Sequence, residues 1–327
     1  MRRSRQVAVA ALILALGGGG LLARHLLAHP PLEPRPGRVL DAAEPGSPGV
    51  RATWMGCTTL LLDDGETQLL VDGFFSRPGP LRLLFGRIEP DRERIAAGLA
   101  RAGVERLAAV LTAHAHYDHA LDAPVVAERT GALLVGSRST AMLARGLELP
   151  DDRVRVVEGG ERLEFGRFAV TILRAAHTPG AVEGGEITAP LVPPARVWAY
   201  REGPSFSFLI EHDGRSLLVQ PNTNFVPGAL ADVRVEVVLL GTATLGRRDE
   251  AFVAAWWHES VETLGARRVV PIHWDDFTAA PEPAPLPMPR YMDDYPRGVA
   301  LLGELARASG VELAWPPAFE PVLVFPD

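Results

Sequence analysis

The strongest constraint on the fold is a six-residue segment with four potential metal ligands. It reads HAHYDH at positions 114–119 and follows the apolar run Leu107–Leu111 almost at once. Such a run predicts a buried strand, and imidazole and carboxylate groups are good zinc ligands. In an extended stretch His114 and His116 point to one side, and Asp118 and His119 follow as the chain turns. We therefore expect one loop to offer two ligands to each of two neighbouring metals.

Two further histidines follow predicted strands. His177 comes a few residues after the strand predicted at Phe168–Leu173, and His273 comes directly after Val269–Ile272. Each alone is more typical of a structural histidine. Combined with the six-residue segment, both are predicted as ligands that converge at one edge of the fold.

The remaining pattern predicts an α/β domain. Predicted strands fall into two batches, roughly 50–173 and 206–325, and both batches include helices. The clearest helix is predicted at Glu250–Leu264, and residues 179–204 form a long loop without a clear period. We interpret the batches as similar halves of one domain, 50–327, with two sheets face to face and helices outside.

The N-terminus has the pattern of a targeting segment. Arg2, Arg3 and Arg5 precede an apolar stretch that runs from position 7 to 23. Residues 1–29 are therefore predicted to be a signal peptide or membrane anchor, with a buried helix as the alternative, and the Pro-rich residues 30–49 to be a tether. This predicts a cell-envelope protein that is exported and either membrane-anchored or periplasmic or secreted.

Composition excludes several classes of partner and site. The net charge of −7 gives no basic footprint, so nucleic acid is not an expected partner. The one cysteine, Cys57, excludes an internal disulfide and a Cys-rich metal site. We interpret Cys57 as a small buried residue and not as a ligand.

Four segments resemble the metallo-β-lactamase superfamily. They are TWMGCTT at 53–59, LVDGFFS at 70–76, HAHYDH at 114–119 and PIHW at 271–274. Within the superfamily, they are similar to the branch of the N-acyl-phosphatidylethanolamine-hydrolysing phospholipase D and the ascorbate-6-phosphate lactonase. The resemblance implies an αββα four-layer sandwich, here preceded by the apolar targeting segment, with the metals at one edge.

The resemblance also implies a ligand set. His114, His116 and His177 would bind a first zinc, and Asp118, His119 and His273 a second. The family normally has a bridging aspartate where this chain reads Gln220-Pro-Asn-Thr223, so Asn222 stands in its place. An uncharged amide bridges metals poorly. We therefore expect one zinc to be bound firmly and the second site to be weaker or unused.

The function implied is that of a zinc-dependent hydrolase with a metal-activated water. A small-molecule or lipid-like substrate is expected, either a phosphodiester or a lactone or other ester. Asp118 would orient the water and protonate the leaving group, and Asp72 would fix an imidazole tautomer. The alternative is an envelope metal-binding protein with lost or altered, iron-based redox activity. The pattern gives no oligomeric state.

Several aromatic residues lie near the predicted site. Trp198 and Tyr200 fall in the long loop, and Phe74, Phe75 and Phe85 fall in the N-terminal half. They would either form an apolar mouth for an acyl chain or simply pack the loops.

Overall fold

The computed structural model describes residues 24–44, 46–180, 184–281 and 284–326. Within these residues, fifteen short strands form two β-sheets, of seven and eight strands. The two-sheet α/β arrangement predicted from the sequence is thereby confirmed. The predicted targeting run at positions 7–23 lies outside the described residues. In the part of the chain that is described, no helix has the length and apolar character to cross a membrane.

The elements have the following bounds. The strands are β1 (Arg38–Val39), β2 (Arg51–Trp54), β3 (Leu60–Asp63), β4 (Gln68–Val71), β5 (Leu107–Leu111), β6 (Leu133–Gly136), β7 (Val154–Val156), β8 (Arg162–Phe165), β9 (Phe168–Ala175), β10 (Ser205–His212), β11 (Arg215–Gln220), β12 (Val237–Gly241), β13 (Arg268–Ile272), β14 (Glu312–Trp315) and β15 (Val322–Leu323). The α-helices are α1 (Pro80–Phe85), α2 (Arg92–Arg101), α3 (Tyr117–Ala120), α4 (Ala123–Thr130), α5 (Arg138–Gly146), α6 (Glu250–Trp257) and α7 (Tyr295–Ser309).

The two sheets have similar connectivity. The first has the order β15-β2-β3-β4-β5-β6-β7, and the second the order β1-β14-β13-β12-β11-β10-β9-β8. In each sheet, an antiparallel set is followed by parallel strands, from β4 to β7 in the first and from β11 to β14 in the second. The carboxyl ends of β4, β5, β11, β12 and β13 lie at one edge of the molecule, and their loops build the site.

In the first sheet, successive side chains along a strand belong alternately to two layers of the hydrophobic core. Leu60 and Leu62 belong to the large cluster between the sheets, and Leu61 belongs to the cluster under the outer helices. The same alternation holds for Leu69 and Leu70. Successive strand side chains point to opposite faces, so a strand of consecutive leucines is buried on both sides.

Some boundaries differ from the prediction. The helix predicted over Glu250–Leu264 is α-helical only to Trp257 and continues as a π-helical turn over His258–Glu262. Helix α1 and strand β14 were not predicted. The Gly-Pro start of α1 reads as a turn, and its apolar residues have no buried face.

The segment predicted as a tether packs onto the domain, so the fold begins before residue 50. Strand β1 pairs in parallel with β14, and Leu40 is buried. The Trp315 indole Nε1 donates to the Pro36 carbonyl at 2.7 Å. Prolines do not prevent this packing, because the pairing uses only the two residues of β1 that follow them.

Candidate metal centre

The HAHYDH segment is held between the two sheets. Its start is fixed by the Ala113 amide, which donates to Asp72 Oδ1 at 2.8 Å, and by the Ala113 carbonyl, which accepts from the Phe206 amide at 2.8 Å. The Ala115 amide donates to the Glu202 carbonyl at 2.8 Å. These contacts orient the loop before α3 begins, so the ligand side chains are positioned by backbone on both sides.

Three imidazoles form the first donor cluster. His114 Nε2 lies 3.1 Å from His116 Nδ1, which lies 3.2 Å from His177 Nε2. Nitrogens on one tetrahedral metal, each bound at about 2.0–2.1 Å, are about 3.3 Å apart. The observed spacing fits that geometry. The structure thus brings together the three residues predicted for the first metal.

A second donor cluster lies beside the first. Asp118 Oδ2 is 3.6 Å from His119 Nε2 and 3.6 Å from His273 Nε2. All three side chains are buried. The sulfur of Cys57 lies 3.3 Å from His273 Nδ1. The three residues predicted for the second metal therefore also converge, together with a cysteine that was interpreted as core.

Asp72 fixes the ring of His119. Its Oδ2 lies 2.7 Å from His119 Nδ1 and also accepts a hydrogen bond from the Thr58 hydroxyl. A proton held on Nδ1 leaves the Nε2 lone pair free to face Asp118 and the cluster. The contact expected of an orienting carboxylate is therefore present at Asp72, and its role toward a bound metal stays a prediction.

His177 is also oriented by a hydrogen bond at Nδ1, but its partner is an uncharged backbone carbonyl and not a carboxylate. Its Nδ1 lies 2.9 Å from the Thr178 carbonyl, so Nδ1 carries the proton and the Nε2 lone pair faces His116. His114 Nδ1 is buried and has no hydrogen-bond partner among the described residues. The outer contacts of His114 and His177 are thus weaker than those of His119.

Burial and mutual repulsion keep most of these imidazoles neutral. Burial, reinforced by the neighbouring imidazoles, lowers the pKa of His114 well below its usual value and that of His177 to about 4. Burial and the charge of His119 lower the pKa of His273 to about 4. Neutral imidazole is the form that binds metal.

The pKa values of His119 and Asp118 shift in the opposite sense, toward the charged form of each group. Burial lowers the pKa of His119, but Asp72 and Asp118 outweigh it, and the net shift is upward. Burial raises the pKa of Asp118, and the surrounding histidines outweigh that, so its net shift is downward. Without a metal, an ionised Asp118 carboxylate therefore faces an imidazole that favours its protonated form.

The donor set fits one or two divalent metal ions. Converging lone pairs of buried neutral imidazoles repel one another unless a cation lies between them, and the spacings match metal coordination. An ionised, buried Asp118 also needs a positive partner. The residues could hold metal at His114, His116 and His177, and at Asp118, His119 and His273.

Asn222 lies in the wall of the same site. It is buried, it lines the cavity beside the histidines, and its amide Nδ2 has no hydrogen-bond partner among the described residues. The structure thus places all seven predicted site residues together. Whether Asn222 binds a metal stays a prediction.

A cavity of about 230 Å³ opens directly over the clusters. Its walls are formed by the metal-facing side chains and by apolar or aromatic residues from four loops. These residues are Tyr117, Pro179, Val197, Tyr200, Ala243, Phe277, Met288 and Met292. Among the described residues that line it there is no lysine or arginine, and Asp118 is the only carboxylate. The methionines and Tyr117 were not singled out from the sequence, because their positions depend on loop closure.

The predicted aromatic mouth is only partly present. Tyr200 lines the cavity, whereas Phe74 is buried and contacts Tyr117 edge-on at 5.9 Å between ring centroids. Phe85 and Trp198 are exposed, at 73% and 55%. Some of these aromatic side chains therefore pack the loops, and others remain on the surface beside the opening.

The exposed apolar residues form a rim, which we define as Leu81, Leu84, Phe85 and Trp198. The Arg196 guanidinium joins its two parts, because it donates to the Phe85 carbonyl at 2.8 Å and lies 5.3 Å from the Trp198 ring. Trp198 follows Val197, which lines the cavity. The Trp198 end of the rim is therefore next in sequence to a residue of the cavity wall.

Comparison with known proteins agrees with this geometry. Residues 67–274 match the sequence model of a family described as "Beta-lactamase superfamily domain". A protein of Methanopyrus kandleri named UPF0173 metal-dependent hydrolase is 26% identical over 229 residues, which are 70% of this chain and 85% of the relative. A protein of the same family name from Pyrobaculum calidifontis is 24% identical over 233 residues, or 68% of this chain and 84% of that one.

Solved structures show the same fold. Igni18, described as a novel metallo hydrolase from Ignicoccus hospitalis, has a TM-score of 0.53 at 16% identity and covers 84% of this chain and 97% of its own. CmlA, described as a diiron β-hydroxylase from Streptomyces venezuelae, has a TM-score of 0.53 at 17% identity, with 86% of this chain and 55% of its own covered. At such identities the likeness concerns the fold.

Proposed function

The chain belongs to the β-lactamase superfamily, and from that premise we propose that it is a metal-dependent hydrolase that cleaves a neutral ester or lactone. The observation that carries the choice of substrate is the cavity wall, which offers no lysine or arginine among its described residues. A phosphodiester carries a charge that such sites normally meet with a basic side chain as well as a metal. A neutral carbonyl substrate needs none.

The arginine that contacts this wall does not supply the missing charge. Arg248 donates from Nη2 to the Pro179 carbonyl at 2.6 Å and to the Thr244 hydroxyl at 2.7 Å. Its guanidinium thus faces the back of the wall. An apolar substrate group would instead be buried against Tyr200, Met288 and Met292.

The chemistry follows from the position of the donors. A divalent metal held here would lower the pKa of a bound water toward neutral pH and would polarise a substrate oxygen. Asp118 lies at the base of the cavity, where its carboxylate can take the proton of the attacking water and return it to the leaving oxygen. Tyr117 and Phe277 also line the cavity and would limit access of bulk water from one side. We propose zinc as the metal, since three imidazoles with an open position suit it.

A matched pair of substrates tests this proposal. We would compare a neutral lactone or aryl ester with a phosphodiester that has the same leaving group, after loading the protein with zinc. We expect kcat/KM to be at least about 100-fold higher for the neutral substrate, a difference of roughly 2.7 kcal/mol. Higher kcat/KM for the phosphodiester would overturn the substrate assignment. Loaded protein that hydrolyses neither would favour the envelope metal-binding alternative, and iron-dependent oxidation would favour the redox one.

We also propose that the enzyme works at a membrane surface of the cell envelope. Three observations support this: the basic and apolar N-terminal run, the rim beside the opening, and the docking of the first described residues. The Arg290 amide donates to the Ala28 carbonyl and the Tyr291 amide to the Leu26 carbonyl, close to Met288 and Met292. The first described residues therefore dock beside the segment that carries two residues of the cavity wall, and we propose that a lipid-like substrate enters from the bilayer.

Vesicle binding tests this location. The full chain carrying Leu84→Ser and Phe85→Ser should partition into vesicles with anionic lipid roughly tenfold less than wild type, because two large apolar side chains no longer insert. Val156→Ser, at an exposed apolar position on another edge, is the control. Equal partitioning of all three proteins would contradict the role of the rim. Recovery of the wild type in the cytosolic fraction of cells would contradict the envelope location.

A further inference from the structure

Cys57 lies against the second donor cluster. Its sulfur is 3.3 Å from His273 Nδ1 and 3.8 Å from His273 Nε2, and the donor atoms of Cys57, Asp118 and His273 all lie within 4.8 Å of one another. A sulfur at about 2.3 Å and a nitrogen at about 2.0–2.1 Å from one tetrahedral metal are about 3.5 Å apart. The measured sulfur–nitrogen separations bracket that value. All three side chains are buried.

The backbone of Cys57 is clamped on both sides. Its φ of 51° lies in the left-handed region that residues with a β-carbon avoid. The amide donates to Asp275 Oδ1 at 2.6 Å, and the carbonyl accepts from Trp54 Nε1 and from the His273 amide, each at 2.9 Å. Such strain persists where the surroundings impose it, and it is concentrated at functional sites. Here it fixes the direction of the thiol.

A buried ion pair supports the clamp. Asp275 Oδ2 accepts from Arg77 Nη1 at 2.9 Å, and both side chains are 1% exposed. Gly56 makes room for this pair, since a β-carbon at position 56 would collide with the Arg77 guanidinium and the Asp275 carboxylate. The pair touches the backbone at Cys57 and none of the metal-facing histidine nitrogens directly, so its evident effect is on the position of Cys57.

A divalent ion at the second cluster would still lack a fourth donor and a second negative charge. Asp118, His119 and His273 supply three donors and one carboxylate. Asn222, the neighbouring polar side chain in the cavity wall, is an uncharged amide. A thiolate from Cys57 would complete four donors and balance the two charges of a divalent ion.

We propose that Cys57 is a metal ligand and that, with Asp118, His119 and His273, it forms a closed four-coordinate site for zinc or a similarly soft divalent ion. When the metal binds, the thiol proton passes to solvent, a sulfur–metal bond forms, and nothing is oxidised. The cluster of His114, His116 and His177 keeps three protein donors and the open position. This inference rests on the proposed metal-dependent function, which it deepens.

The competing interpretation is a core cysteine. In that case the thiol remains protonated and donates a weak hydrogen bond to the Asp118 carbonyl, 3.7 Å away. His273 would still bind metal, and the sulfur would stay outside the coordination sphere. The two interpretations differ in one spectroscopic property, a sulfur–metal bond.

Cobalt and zinc spectroscopy on the wild-type protein tests the proposal without substrate. Metal-free protein titrated with Co²⁺ should develop a sulfur-to-cobalt charge-transfer band in the near ultraviolet. X-ray absorption of the zinc form should show a sulfur neighbour at about 2.3 Å. Because the chain has one cysteine, a thiolate charge-transfer band identifies Cys57, and the X-ray absorption signal must then be lost in a Cys57 variant. Bound metal with only nitrogen and oxygen neighbours would overturn the inference and leave the hydrolase proposal standing, whereas absence of metal binding would overturn both.

A Cys57 variant measures how much the sulfur contributes to metal affinity. Cys57→Ser should abolish the charge-transfer band and weaken binding of one of two metals roughly 100-fold or more, above the ten- to hundredfold typical of losing an outer partner. His258→Ala, at an exposed histidine that pairs with Glu262, is the control and should keep the band. Unchanged affinity of folded Cys57→Ser for both metals would also overturn the proposal. If the serine variant does not fold, the rate at which the wild-type thiol is alkylated is compared with and without added Zn²⁺. Slower alkylation with Zn²⁺ supports the sulfur–metal bond, and an unchanged rate overturns it.

Discussion

The two donor clusters differ in charge and in support. The first consists of three imidazoles, of which His177 contacts a backbone carbonyl and His114 Nδ1 has no partner among the described residues. The second contains Asp118, and the buried Asp72 fixes its His119. Neutral ligands leave more positive charge on a metal, which favours ionisation of a bound water. Under the proposed function, this difference would assign water activation to the first cluster and anchoring to the second.

Loss of a first-cluster imidazole should have the largest effect on activity. His116→Ala is expected to lower kcat/KM at least about 1000-fold, because the water loses the metal that depresses its pKa. The measurement is steady-state hydrolysis of the neutral substrate, with His258→Ala as the matched surface control. If the His116 variant kept more than about a tenth of wild-type activity, the chemistry would not depend on the first cluster.

Loss of the carboxylate behind the second cluster should act on metal affinity. Asp72→Asn is expected to weaken binding of the second metal ten- to hundredfold, because His119 loses the charged acceptor at Nδ1. Calorimetric titration of metal into the metal-free protein measures this. Asp122→Asn replaces another buried carboxylate, which contacts the backbone of Phe75 and Ser76, and should leave both affinities unchanged. Equal losses in the two variants would point to general destabilisation.

Stability of the metal-free protein should fall in mild acid. The pKa values of His177 and His273 are about 4 in the folded chain, and that of His114 is also lowered, so between pH 6.5 and 4 the unfolded chain binds more protons. The pKa of His119 is raised, so its contribution to the stability of the folded chain is complete below pH 6.5 and is lost only at higher pH. We expect a loss of about 2 kcal/mol for each of His177 and His273, and so on the order of 4 kcal/mol in all, from pH 7 to pH 5.

Denaturant unfolding at the two pH values gives this number. His177→Gln should reduce the difference, since one of the depressed groups is gone. A metal-free protein whose free energy of unfolding rises toward pH 5 would show that the imidazoles are not held neutral.

The smallest effect is expected at Asn222. If Cys57 completes the second site, Asn222→Asp should leave the number of bound metals at two and change affinity less than about tenfold, since the new charge lies in the wall of the cavity. Native mass spectrometry counts the metals. A rise from one metal in wild type to two in the variant would show instead that the amide limits occupancy.

The sequence predicts much of this site because the information is local. The spacing within HAHYDH and the apolar run of β5 fix four candidate ligands, and His177 and His273 were found because they follow recognisable strands. The structure confirms that these residues converge, and Asp72 was found by the same reasoning. Residues at the carboxyl ends of parallel strands lie at the same edge of a sheet, whatever the conformation of the loops.

The remaining features depend on contacts between distant segments. Cys57 approaches His273 only because the loop after β2 closes on the end of β13, and Arg77 meets Asp275 across 198 residues. Strand β1 was interpreted as tether because a two-residue strand has no period to detect. Helix α1 exposes its apolar side chains, so no burial pattern marked it.

The most direct test of the central claim is a metal count on folded wild-type protein combined with its hydrolytic rate. Native mass spectrometry should find two divalent ions per chain, and hydrolysis of the neutral substrate should disappear on chelation and return when Zn²⁺ is added. A chain that folds, binds no divalent ion and hydrolyses the substrate equally well in chelator would contradict the account.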